Sequence, residues 1–257
     1  MAKVLVERSG TTTIVTINRF AEARNAVDPE TAVLLREAFL AFDADDRQSV
    51  AILTGAGGAF CAGYDLKSAA QGSGLRYEPE GVGPMGPSRL LLGKPVIAAV
   101  EGHAVAGGLE LALWCDMRVA SATAKFGVFC RRWGVPLVDG GTVRLPRLIG
   151  HSRALDMILT GREVRAEEAL AWGLANRLVP AGQALPEALT LGEQLAKFPQ
   201  VCMRSDRMST YEQWNLDIVE ALKNEGRRGQ PAIMQETRAG ASRFASGKGR
   251  GGSFQDL

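Results

Sequence analysis

Residues 96–120 read VIAAVEGHAVAGGLELALWCDMRVA, and this stretch decides the fold. Val96–Val100 is β-branched and apolar without polar alternation, the pattern of a strand buried on both faces. Gly102 interrupts it, and Ala106-Gly107-Gly108 follow with no bulky side chain. Residues 109–115 then predict a helix that is apolar nearly all round, hence deeply buried. Its one carboxylate is Glu110. Strand, glycine corner and helix start together make a pocket wall, where backbone N–H groups and the positive end of a helix dipole meet. Such a wall suits an oxygen that becomes negative, with an acid–base group one turn away. The same glycines would also serve close strand–helix packing alone, with Glu110 merely capped or solvated.

A second glycine corner lies upstream. Residues 50–54 predict a buried strand, and GAGGAFCAGYDL follows at 55–66. This segment lacks the Lys-Ser/Thr of a phosphate-binding P-loop and the full GxGxxG fingerprint, which argues against a nucleotide site. Two small-residue corners, one after each of two buried strands, can together form an oxyanion hole.

Around these corners, residues 4–8 and 12–18 flank Ser9-Gly10 as a β-hairpin. Asp28-Pro29 reads as an N-cap acid with proline at the first helical position, and Leu34, Leu35, Ala38, Phe39 and Phe42 recur at helical spacing. Met117–Ser121 and Arg177–Val179 read as strands. Helices are expected at 142–149, 151–159, 166–171, 185–198, 202–224 and 231–244. The chain has 257 residues and 46% hydrophobic content, enough for a large core. Thirty Lys and Arg against 28 Asp and Glu leave a formal charge of +2, and no basic block interleaves with aromatics, so nothing points to nucleic acid. Cys61, Cys115, Cys130 and Cys202 show no CxxC spacing, and two histidines complete no convincing metal site. Buried free thiols in a reducing cytoplasm are the expectation. No signal-peptide core and no 18-residue apolar span occurs, so neither secretion nor membrane insertion is expected.

Three motifs give a specific resemblance: GxGxAFCAGxDL at 55–66, EGHAxAGGLELALxCD at 101–116, and AxFGV followed by GVPxxxGGTxRLPRLIG at 134–150. With LTGREVRAEEALAWGLANRLVP at 159–180, the chain resembles the crotonase (enoyl-CoA hydratase/isomerase) family from about Val4 to its end. The resemblance implies an α/β fold, a spiral of repeated β-β-α units over residues 1–195 that holds the acyl-CoA site. Residues 196–257 would form a C-terminal helical segment for oligomerisation and for covering CoA, in a homotrimer or a hexamer of paired trimers. It also implies an acyl-CoA thioester whose carbonyl oxygen sits between the backbone N–H groups of Tyr64 and Gly107. CoA would lie along Ala62, Asp65 and Leu66 and the Ala23-Arg24 loop, entering as part of the substrate with no separate cofactor.

The resemblance departs at Cys130, where hydratases of the family carry their second catalytic glutamate. Addition of water across a conjugated double bond commonly uses two carboxylates, and Glu110 matches the first. A thiol in an apolar run stays protonated, and nucleophilic use of it would need a neighbouring base. Asp139 stands nine residues on, at or next to the position where some crotonase relatives place a catalytic aspartate. It also precedes Gly140-Gly141 and a predicted helix, so an N-cap role is the alternative. Residues 67–87, with five glycines and three prolines, read as a long loop, either a lid over the acyl pocket or a tolerated insertion. Arg207, Arg227, Arg228, Lys248 and Arg250 are read as a solvated face more than as phosphate ligands. His103 is read as a satisfied core histidine. Two functions follow: an enzyme that hydrates or isomerises an enoyl-CoA through a thioester enolate, or an acyl-CoA-binding homologue without turnover.

Overall fold

The computed structural model describes residues 1–72 and 78–254. Among the described residues nine strands form, β1 (Val4–Ser9), β2 (Thr12–Ile17), β3 (Val50–Gly55), β4 (Val96–Val100), β5 (His103–Val105), β6 (Met117–Ser121), β7 (Lys125–Gly127), β8 (Val164–Arg165) and β9 (Arg177–Val179). The hairpin β1–β2 is antiparallel, and β2, β3, β4, β6 and β9 continue the sheet in parallel, in the order β1-β2-β3-β4-β6-β9. A smaller sheet has the order β5-β7-β8, and Cys61 adds a parallel bridge to Ala104 at its edge. Successive turns of chain therefore run one strand in the large sheet, one in the small sheet and then a helix. This is the expected spiral of β-β-α units.

The helices are α1 (Phe20–Ala23), α2 (Pro29–Ala44), α3 (Leu66–Ala70), α4 (Gly107–Trp114), α5 (Gly141–Ile149), α6 (His151–Thr160), α7 (Ala166–Trp172), α8 (Ala184–Lys197), α9 (Gln200–Glu212), α10 (Ile218–Ala232) and α11 (Arg238–Ala245). Asp28 caps α2 through Thr31 N–H, with Pro29 at its first position, as its sequence predicts. The unalternating apolar strands are buried on both faces. Val50, Ile52, Ile97, Ala99 and Val119 pack against Ala184, Ala188 and Leu191 of α8. The intervening Ala51, Leu53, Ala98, Val100 and Ala120 face the main core with Leu35, Phe39, Leu109 and Leu111. Every residue of α4 is buried.

Glycine is required where one turn of the spiral crosses the last. Gly102 turns β4 into β5 at φ +53, and a side chain there would overlap the Gly58 carbonyl. Gly108 lets α4 lie directly on the Cys61 carbonyl.

Five expectations need correction. The segment 67–87 is not all loop: Asp65 caps α3 by accepting from Lys67 and Ser68 N–H, and a 3-10 turn forms at Pro87–Arg89. Residues 73–77 of that segment lie outside the described residues. The single helix at 202–224 is two, because Asp217 accepts from Val219 and Glu220 N–H and starts α10 afresh. Pro231 does not begin a helix but sits inside the last turn of α10, ahead of a π turn at Ile233–Thr237. Arg207 is no solvated cation: its Nε donates to Asp116 Oδ1 at 2.7 Å, a carboxylate that also accepts from Tyr211 Oη and Val96 N–H. Of the thiols, Cys61, Cys115 and Cys130 are buried as expected, but Cys202 is exposed. Among the described residues no helix is long and apolar enough to cross a membrane.

Candidate active site

The C-terminal end of β5 meets the start of α4 at a cavity of about 370 Å³. Ala62, Tyr64 and Leu66 from the first glycine corner line it, with Ala106, Gly107 and Glu110 from the second. Cys130, Val138 and Asp139 close the far side, Arg24, His103 and Arg132 add basic groups, and Met85 lies against Gly107. The two corners and both candidate carboxylates thus share one space, as the motifs suggested. Ala23 lies outside this lining, and the Asp65 side chain is taken up by the α3 cap and an ion pair with Arg19.

Ala106 sets the α4 wall. It holds φ +54 and ψ −124, a strained backbone for a residue with a Cβ, and its N–H is pinned to the Gly127 carbonyl at 2.8 Å. That turn brings the helix start to the cavity, where the first N–H groups have no intrahelical acceptor. Gly63, at φ +101, carries the chain into Tyr64 beside it, and a Cβ on Gly63 would come within 3.1 Å of Gly107 N.

Glu110 and Asp139 are each only 2% exposed. Glu110 Oε1 accepts from Asp139 N–H at 2.9 Å and Gly141 N–H at 2.8 Å. Burial and the neighbouring Asp139 charge push its carboxyl up to about 7, and those two N–H bonds and Arg144 hold it no higher. Asp139 does not cap α5. Gly140, at φ +99, occupies the cap position, and Glu110 takes the helix's first N–H instead. The Asp139 side chain turns the other way, and its Oδ1 accepts from Met85 N–H at 3.0 Å and from the Ser88 hydroxyl. Burial raises Asp139, tempered by Ser88, Met85, Arg89 and Arg144. Burial likewise raises the Cys130 thiol, with the Glu110 charge adding to it, so Cys130 stays protonated. His103 is half-buried on β5 and lines the cavity, and burial beside Lys125 and Arg24 lowers its pKa.

A larger cavity of about 870 Å³ lies between α5 and α9 and shares Val138 and Asp139 with the smaller one. Its other carboxylate, Asp116, is already saturated by Arg207, Tyr211 and Val96 N–H. Paired carboxylates beside a helix N-terminus therefore occur in the smaller cavity. Sequence reasoning missed Met85, Ser88 and Arg144, which bind Asp139 and its surroundings across more than fifty residues or around a turn. The repeated Gly-Pro pairs at 83–84 and 86–87 were the available signal.

The comparisons agree with this architecture. The enoyl-CoA hydratase/isomerase family model matches residues 7–246. The chain belongs to that family. Enoyl-CoA hydratase EchA19 of Mycobacterium tuberculosis is 40% identical over 237 residues, 90% of this chain and 89% of that protein. Carnitinyl-CoA dehydratase of Salmonella arizonae is 36% identical over 232 residues, 88% of each. The crystal structure of enoyl-CoA hydratase EchA1 from Mycobacterium marinum matches with a TM-score of 0.89 at 36% identity, covering 95% of this chain and 96% of that one. The fold is the α/β crotonase fold.

Proposed function

We propose that this protein is an acyl-CoA enzyme that forms a thioester enolate and hydrates or isomerises the double bond of an enoyl-CoA. The observation that carries the reading is the placement of Glu110 and Asp139 on one cavity with Gly107 and Tyr64. The thioester carbonyl oxygen would lie between the Gly107 and Tyr64 N–H groups, where the developing negative charge is met by fixed dipoles. Glu110, with its carboxyl raised to about 7, can both give and take a proton near neutral pH. It would exchange the proton of the substrate α-carbon, and Asp139 would serve the position further along the acyl chain or the attacking water.

Cys130 stands in the cavity where the resemblance places the second hydratase glutamate. A protonated thiol cannot take a proton from water, so Asp139 carries that part of the chemistry. Isomerisation, which needs only removal and return of a proton, suits this pair at least as well as hydration. Arg24 and Arg132 at the lining suit the phosphate groups of CoA, alongside Ala62 and Leu66. CoA belongs to the substrate, and no further cofactor enters the scheme. The apolar side chains exposed on α10 and α11, among them Ile218, Val219, Leu222 and Phe244, suit assembly into a homotrimer or hexamer.

The test is a panel of enoyl-, dienoyl- and hydroxyacyl-CoAs incubated with the protein in deuterated water and read by mass spectrometry. Turnover or α-carbon exchange on at least one member is expected. Saturable binding of every ester without turnover or exchange would return the protein to the non-catalytic alternative.

A further inference from the structure

We propose that residues 83–88, Gly-Pro-Met-Gly-Pro-Ser, form a carboxylate cradle, in which Ser88 is a positioning residue that aims Asp139 into the cavity. The proposal rests on the proton-carrying role given to Asp139 above. Gly86 N–H closes a turn on the Gly83 carbonyl at 2.9 Å, with Pro84 second in it. Pro87 then starts the 3-10 turn Pro87–Arg89, which sets the fully buried Ser88 opposite Asp139. Met85 N–H and the Ser88 hydroxyl both donate to Oδ1. Oδ2 makes no hydrogen bond among the described residues, so the two oxygens are chemically distinct: one anchored, one left for a proton.

The cradle is held in place independently of the carboxylate. Arg144 Nη2 donates to the Ser88 carbonyl at 2.7 Å and Nη1 to the Asp139 carbonyl at 3.0 Å. Arg89 Nη2 donates to the Val138 carbonyl at 3.0 Å, and its Nη1 to the Pro79 and Gly81 carbonyls at 2.7 and 2.8 Å. Gly83 approaches so closely that a Cβ there would overlap both Ser88 Oγ and Asp139 Oδ1. Met85, on the same loop, packs on Gly107, so the segment touches the carboxylate and the oxyanion wall together.

The test is a double-mutant cycle on the ester turned over fastest in the panel. Ser88→Ala should lower kcat about 10-fold, the loss expected for one hydrogen bond to a charged group. KM should stay nearly unchanged, and the pH limb belonging to Asp139 should move to higher pH. Glu110, Cys130, Arg89 and Arg144 face the same site and are left in place. On an Asp139→Asn background, itself expected to be slow, Ser88→Ala should cost nothing more. Gly83→Ala, which pushes on the same pair from the loop side, should reproduce the kcat loss and carries the test if Ser88→Ala does not fold. Wild-type kcat and an unmoved limb in Ser88→Ala, or an equal loss with and without Asp139, would overturn the cradle. Wild-type kcat in Asp139→Asn would instead remove the proton-carrying role, and the cradle's catalytic purpose with it.

Discussion

Glu110 concentrates the energetic cost of the site in one side chain. Its carboxyl is buried, and it moves from an ordinary 4.5 to about 7. Between those values the folded chain holds a proton that the unfolded chain has lost, so stability falls as pH rises through the window and levels off above it. The cost is on the order of 3 kcal/mol. Gln accepts the same two backbone N–H groups but never ionises. Glu110→Gln should therefore gain stability relative to wild type as pH rises from about 4.5 to about 7, and melting temperatures across that range check it. A difference that does not change with pH would mean Glu110 is not charged at the expense of the fold. Glu110 was legible because a lone carboxylate in an apolar helix is conspicuous. Asp139 was legible as an acid near Glu110, but its orientation was not: a glycine took the cap, and the hydroxyl that holds it lies fifty-one residues earlier.

At the scale of elements, α4 is the part on which the geometry of the proposed site depends, because it rests on the preceding turn through Gly108. A Cβ there would overlap the Cys61 carbonyl, and backbone cannot swing aside as a side chain can. Gly108→Ala should cost about 1–3 kcal/mol and slow turnover by shifting Gly107 against Tyr64. Gly226→Ala in α10, where the added methyl meets nothing within 4 Å, should instead raise stability by roughly 0.5–1 kcal/mol. Equal melting shifts for the two would show that propensity, and not the crossing of turns, governs α4. The strands and α2 could be read from apolar runs and caps because those signals are local. The break between α9 and α10 carries no Pro or Gly, and only Asp217 with Glu220 three residues on marks it, a capping pattern the apolar periodicity masked. Pro231 misled for the opposite reason: it reads as a helix start, yet it lies inside the last turn of α10.

For the whole molecule, the parallel sheet and the smaller sheet act as a frame that brings residues 62–66, 104–110 and 139 to one cavity. Motif order implied that convergence through the family resemblance, whereas the Gly-Pro pairs of the 83–88 loop mark its turns but not its partners, which are the tertiary contacts to Asp139 and Gly107. The central claim is that this convergence moves protons at the acyl group of a CoA thioester. The direct measurement is deuterium incorporation from heavy water at the α-carbon of the preferred ester, wild type against Glu110→Gln, with ester binding measured in parallel. Exchange should fall by roughly 10²–10⁴ while binding is retained. Exchange at the wild-type rate in correctly folded Glu110→Gln would contradict the central claim.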